Sequence, residues 1–262
     1  MKLRKWAWTA AVCVSAALVA CGGGGSSVEA VDLDPTALCN SAGAQPQVFN
    51  GASCASFKST PVVLLVIEEA DGSYSSCSGT RISVNQVLTA AHCVADSPKR
   101  VVAANFKSDS SISGINATAW VAHPAYASDS FVNDAAVVTF PDGLPNPTMP
   151  LLVSERARKG QAVFFAGWGL PSQKLAVGAA NLSEVDETFL SVNFDGSQSI
   201  TCPGDSGGPI YRRLPTGTAL IGIVSNGSPV DCGAAATSRF TFVQNPSVLN
   251  FIRTHAPSAA YI

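Results

Sequence analysis

Three short segments carry the side chains best suited to chemistry. "LTAAHC" ends with His92 beside Cys93, "NDAAVVTF" places Asp134 at the mouth of an apolar run, and "CPGDSGGP" sets Ser206 among Gly204, Gly207 and Gly208. A serine hydroxyl becomes an effective nucleophile when a neighbouring imidazole takes its proton. That imidazole must be held in one tautomer, and a buried carboxylate on its other nitrogen does this while stabilising the imidazolium. Glycines around the serine let backbone N–H groups come close to a developing oxyanion. Taken singly, the serine segment reads as a surface turn, the histidine as a structural residue and the aspartate as a strand cap. Taken together, they supply a base, its orienting acid and a nucleophile.

The elements that must position these residues are short. "PVVLLVIEE" (61–69), "NQVLTAAHCV" (85–94), "AAVVTF" (135–140), "QAVFFAGWG" (161–169) and "ALIGIVSNG" (219–227) are rich in Val, Ile and Phe and separated by Gly, Pro, Ser and Asn turns, which argues strands. Helical periodicity occurs near the end. "NPSVLNFIRTH" (245–255) opens with Asn and Pro and spaces Val248, Phe251 and Ile252 along one face. No repeat of fixed period is visible.

The chain has 262 residues, 47% of them hydrophobic and 13% charged, which fits a packed globular protein and excludes a disordered tail. The net charge of -2, with no basic block beyond the N-terminus, argues against a nucleic-acid partner. Residues 1–20 read as a secretory signal: Lys2, Arg4 and Lys5 precede an apolar run from Trp6 to Ala20 that is too short for a stable membrane span. The run ends in "LVAC", which resembles the lipobox of bacterial lipoproteins and would make Cys21 the lipidated first residue. "GGGGSS" then becomes a flexible spacer, within a linker or pro-segment over 21–47. Gly22 after that cysteine points to the outer membrane, so the expected location is the bacterial cell envelope. Six cysteines remain after Cys13 and Cys21: Cys39, Cys54, Cys77, Cys93, Cys202 and Cys232. In an oxidising compartment they read as three disulfides, with fifteen pairings open. Only three histidines and no Cys-x-x-Cys spacing argue against a metal site, and no cofactor is expected.

In the order His, Asp, Ser, the three segments resemble the chymotrypsin-like (trypsin-like) serine peptidase family. "TAAHC", "HPAY" followed by "NDAAVV", and "GDSGGP" match its histidine, aspartate and serine motifs, and "GWG" (167–169) also falls in place. The resemblance runs from about Val48 to His255. It implies an all-β fold of two six-stranded antiparallel β-barrels with a C-terminal helix. Barrel 1 would span about 48–140, barrel 2 about 151–245 and the helix about 246–255, within a peptidase domain over 48–262. Carried over, His92 is the general base and acid, Asp134 its orienting partner, and Ser206 the nucleophile. The N–H groups of Gly204 and Ser206 form the oxyanion hole. The family also pairs Cys77 with Cys93 and Cys202 with Cys232, which leaves Cys39–Cys54. The expected activity is that of an endopeptidase working through an acyl-enzyme on protein or peptide substrates.

Asp205 has its own family role, pairing with a new amino terminus made by proteolysis. "VFNGASC" (48–54) is the nearest match to the mature start, with Val48 as the terminus. Gln47 stands where the family has Arg or Lys, so self-activation by a trypsin-like cut is not expected and another protease is the implied partner. A constitutively active fold, in which some other group meets Asp205, is the alternative. Ile200, six residues before the serine, falls at the floor of the primary pocket, where it cannot stabilise a Lys or Arg side chain. Ser225, Asn226 and Gly227 fall on the pocket wall and Ser238 on the far side, so small or medium apolar residues are expected before the scissile bond.

His123, His255 and Trp168 read as structural residues, and the sequons at "NATAW" and "NLSE" as chance matches. Two rivals differ in class. A catalytically dead homologue would use the fold for binding, but all three reacting residues are present. An esterase of another fold would place Gly-x-Ser-x-Gly before its acid and base, the opposite of the order here.

Overall fold

The structure is a computed structural model that describes residues 52–53, 60–106, 112–141, 144–169, 174–215, 217–228 and 236–262. The strands are β1 (Ala52–Ser53), β2 (Val62–Glu68), β3 (Tyr74–Arg81), β4 (Gln86–Thr89), β5 (Arg100–Phe106), β6 (Ile112–Asn116), β7 (Ala119–Ala122) and β8 (Ala136–Thr139), followed by β9 (Ala162–Gly167), β10 (Ala176–Asn181), β11 (Glu184–Val185), β12 (Phe189–Asn193), β13 (Pro209–Leu214), β14 (Gly217–Ser228) and β15 (Thr237–Phe242). They form one seven-stranded sheet, ordered β6-β5-β2-β3-β4-β8-β7, and one eight-stranded sheet, ordered β1-β10-β9-β13-β14-β15-β12-β11.

Each sheet closes on itself by the same device. In the first, β6 and β7 stand at opposite edges yet are separated in sequence only by Ala117 and Thr118. The Ala117 N–H donates to Val101 O on β5, and the Thr118 N–H donates to Thr139 O on β8, each at 2.8 Å. One bent strand thus serves both edges. In the second sheet, β10 and β11 flank Leu182 and Ser183. Leu182 N–H donates to Gln161 O beside β9 at 3.0 Å, and Ser183 N–H to Ser191 O on β12 at 2.8 Å. Counting each bent strand once gives the two six-stranded barrels that the resemblance implied, with β1 as an extra piece. Closure removes the unpaired edges that an open sheet exposes. One boundary differs from expectation: Ala52 and Ser53 fall in the segment assigned to barrel 1 but pair with Val177 and Ala176 of barrel 2.

The barrel interiors are filled by branched and aromatic side chains. Leu65, Ile67, Val87, Val101 and Val138 are fully buried in the first, and Phe165, Ile210, Ile221, Phe240 and Phe242 in the second. Burying one such side chain contributes roughly 1.5–3 kcal/mol.

The helix α1 (Pro246–His255) starts where its chemistry dictates. Asn245 Oδ1 accepts from the N–H groups of Ser247 at 2.8 Å and Val248 at 3.3 Å, while Pro246 stands where no N–H is needed. Arg253 and His255 sit in the last turn, favourably placed against the helix dipole. Val248, Phe251 and Ile252 are buried in the same apolar cluster as the first barrel. Among the described residues no helix is long and apolar enough to cross a membrane.

Candidate active site

The candidate reacting residues come from ends of strands in both barrels. β4 stops at Thr89, and Ala91–Cys93 turn into a single 3-10 turn that carries His92. Cys93 in that turn is bridged to Cys77 on β3, so the histidine segment is stitched to the barrel wall. Asp134 lies just before β8, fully buried. The loop bearing Ser206 lies just before β13.

His92 and Asp134 meet twice. The His92 backbone N–H donates to Asp134 Oδ1 at 2.9 Å, and its ring Nδ1 lies 2.8 Å from Asp134 Oδ2. A carboxylate can only accept, which assigns the proton to Nδ1 and leaves Nε2 as the basic nitrogen of the neutral ring. Ser225 Oγ donates to Oδ2 as well, at 2.6 Å. Three donors therefore offset the cost of burying the charge.

The serine loop is fixed by backbone bonds from both barrels. Ser78 N–H on β3 donates to Ser206 O at 2.7 Å, and Gly207 N–H donates to Val224 O at 2.8 Å. Ser78 Oγ donates to Gly204 O and accepts from Trp168 N–H, both at 2.9 Å. Gly204 and Gly207 adopt φ of 96° and 81°, a region that favours glycine. At Gly207 a Cβ would also collide with Thr89 Oγ1 and Ser78 O, so the opening glycines answer to space as well as dihedral. Among the described residues, the N–H groups of Gly204 and Ser206 meet no backbone acceptor.

His92, Ser206, Phe131, Thr201, Asn226 and Gly227 line one open cavity of about 450 Å³. Ser225 lines it too, and among the described residues no acidic side chain does. Ile200, expected at its floor, is buried, and its neighbour Thr201 is among the lining residues. Ser238 is buried behind Thr201, its Oγ 2.7 Å from Thr201 Oγ1 and accepting the Thr201 N–H at 3.0 Å. Ser78, Phe131 and Thr201 are therefore site residues that the motifs alone did not single out.

Asp205 is buried beneath the serine loop. Its Oδ1 accepts from Gly169 N–H at 2.9 Å and its Oδ2 from Cys202 N–H at 2.8 Å. Burial pushes its carboxyl up to about 7, against the opposing pull of those two N–H groups. Gly167 and Gly169 make room for it, since a Cβ on either would overlap its carboxylate or backbone.

The remaining expectations divide cleanly. His123 is buried, its Nδ1 accepts from Ala125 N–H at 3.1 Å, and its Nε2 faces Ser247 Oγ at 3.1 Å; burial lowers its pKa. That is a structural placement. Burial, then the charges of Asp134 and Asp96, pushes the Tyr126 phenol up to about 12, so it stays protonated near the site. Cys77, His92 and Cys93 cluster, but both sulfurs are spent on the disulfide and offer no thiolate to a metal. Cys202 is disulfide-bonded. Cys232, Cys39, Cys54, Val48 and Cys21 lie outside the described residues.

Two closed barrels with a histidine–aspartate pair and a serine in one cleft between them define the class of serine hydrolases that work by acyl transfer. The trypsin family model matches residues 49–252. Relatives include brachyurin of Leptuca pugilator, 32% identical over 64% of this chain and 82% of that protein, and chymotrypsin of Phaedon cochleariae, 28% identical over 76% and 78%. A CLIP domain-containing serine protease B4 of Anopheles gambiae is 30% identical over 65% of this chain, and the match spans only 60% of its length. Among solved structures, HL collagenase superposes with a TM-score of 0.63 at 24% identity, over 75% of this chain and 93% of that one. The chain belongs to the trypsin family of serine endopeptidases.

Proposed function

We propose that this protein hydrolyses peptide bonds with Ser206 as nucleophile, His92 as general base and then acid, and Asp134 as the group that orients His92. The observation that carries this reading is the 2.8 Å contact of His92 Nδ1 with Asp134 Oδ2 beside a cavity shared by His92 and Ser206. Ser206 Oγ attacks the substrate carbonyl while its proton passes to His92 Nε2. The tetrahedral oxyanion is held by the N–H groups of Gly204 and Ser206, where loss of one donor costs about 3 kcal/mol. Collapse expels the amine, which takes the proton from His92. Water, deprotonated by the same nitrogen, then releases the acyl group.

The substrate preference is for small or medium apolar residues before the scissile bond. Among the described residues the cavity lining holds no carboxylate to meet a Lys or Arg, and Thr201 and Ser238 engage each other. Ser225, Asn226 and Gly227 form the wall. From the sequence come two further parts of the reading: a lipid on Cys21 anchors the domain to the bacterial envelope, and a protease cutting before Val48 supplies the cation for Asp205.

Titration with an active-site fluorophosphonate tests the central claim. One equivalent should couple to Ser206 with loss of fluoride, and Ser206→Ala should take up none. A full chain that neither labels nor cleaves peptides, before or after a cut at Val48, would return the protein to the binding-module reading.

A further inference from the structure

We infer that Phe131 is a positioning residue that holds the His92 imidazole against Asp134. The inference rests on the reading of His92 as the base. Phe131 lines the cavity, and its ring meets the His92 ring at a centroid distance of 5.9 Å with the planes 81° apart, an edge-to-face contact. A histidine tied to a carboxylate through one nitrogen can still swing out into solvent, and the His92 side chain is 24% exposed. The Phe131 ring flanks that imidazole, so outward rotation would break the aromatic contact along with the Asp134 bond.

The backbone bears the mark of this placement. Phe131 has φ of 58° and Asn133 has φ of 57°, both in the left-handed region that bulky residues avoid. Two such residues bracketing Val132, directly before Asp134, turn the chain over. The ring thereby reaches His92 from one side while the carboxylate reaches it from another. The loop is braced in that shape. Phe131 N–H donates to Ala127 O at 2.7 Å, Ala127 N–H donates to Val132 O at 3.1 Å, and the Asn133 side-chain amide donates to Ala125 O at 3.0 Å. Observed strain at a site edge, held by several bonds, is evidence of a geometric requirement there.

Phe131→Gly separates this role from simple stability, because glycine accepts the left-handed backbone without strain. The probe is a fluorophosphonate bearing only a short alkyl chain, which has no peptide residue to touch a cavity wall. Applied to the full chain, it should label Phe131→Gly about tenfold more slowly than wild type, the size expected from losing one aromatic contact. Phe131→Tyr should restore the rate to within about twofold, since the ring is kept. Thermal melting should remain cooperative; if Phe131→Gly loses its cooperative melt, Phe131→Leu keeps the bulk without the ring and should show the same slowing. Equal labelling of wild type and the ring-less variants, or a slowing seen with peptides alone, overturns the positioning role and makes Phe131 a wall for substrate. Wild type that does not label at all, before or after a cut at Val48, overturns the nucleophile reading instead, with His92→Ala as the unreactive reference.

Discussion

Ser225 Oγ and His92 Nδ1 share one acceptor, Asp134 Oδ2, at 2.6 and 2.8 Å. The serine comes from β14 of the second barrel and the histidine from the first, so the carboxylate is a joint between the two. A register shift between Val224 and Asn226 in the pairing of β14 with β15 falls at Ser225. An irregularity of this kind re-aims a side chain out of strict alternation. Removing the hydroxyl leaves Oδ2 with one donor fewer in a buried setting. A hydrogen bond to a charged group contributes about 1.5–3 kcal/mol. Ser225→Ala should therefore lower kcat by at least about tenfold with KM little changed, measured on a chromogenic peptide. An unchanged kcat would show that His92 alone holds the carboxylate.

Asp205 carries a pH dependence whose sign follows from its environment. Burial raises its folded-state pKa to about 7, well above the ordinary carboxylate value of 3.8. The folded chain then binds more protons than the unfolded chain between those two values, so stability falls as pH rises across roughly pH 4 to 7. Asp205→Asn should flatten that decline. Differential scanning calorimetry of both forms from pH 4 to 8 checks it. After cleavage before Val48, a cation at the carboxylate should lower the pKa and remove the decline. Identical profiles in the uncut wild type and Asp205→Asn would show that Asp205 is already ion-paired in the full chain.

Gly207 tests the fit of the serine loop against the first barrel. Its φ of 81° disfavours any L side chain, and a Cβ there would press on Thr89 Oγ1, Ser78 O and Ala90 N. Thr89 and Ser78 are themselves joined, Thr89 Oγ1 donating to Ser78 O at 2.7 Å, and cannot yield separately. Gly207→Ala should cost more than the ~1–2 kcal/mol of a left-handed residue alone. Chemical denaturation should show a lower midpoint, with loss of fluorophosphonate labelling.

Much of this site was legible in the sequence because its chemistry is local. The glycines of "GDSGGP" report the backbone shape of the loop directly, and His92 beside Cys93 reports a histidine pinned by a bridge to Cys77. The helix was legible from its Asn-Pro start, since capping needs only neighbouring residues. Barrel closure was not. It depends on Ala117 and Thr118 turning their N–H groups to opposite edge strands, a long-range pairing with no residue signature, and Leu182 and Ser183 repeat it without a visible repeat in sequence. Phe131 was missed for a related reason, because a left-handed phenylalanine cannot be read from its letter. Which of Ile200 and Thr201 faces the cavity was not legible either, because counting from Ser206 locates a residue but not the face it presents; Thr201 is in the lining and Ile200 is buried.

The cavity's far end offers the sharpest test of selectivity. Ser238 pairs with Gly227 across β14 and β15, and its hydroxyl is engaged with Thr201 at 2.7 Å. On the proposed preference, that pair would limit the space open to a larger substrate side chain beside Thr201, and Gly227 in the lining carries no side chain. Ser238→Gly removes the hydroxyl and opens room behind Thr201. The Thr201 N–H loses its acceptor, so a modest fall in stability of about 1 kcal/mol accompanies the change. Discrimination in an apolar pocket runs at about 1–3 kcal/mol per methylene of fit. Ser238→Gly should thus shift preference toward Phe and Tyr over Ala and Val by about tenfold or more in kcat/KM, measured on a peptide library. A library profile that keeps its ranking in Ser238→Gly would place the limit on substrate size elsewhere along the cleft.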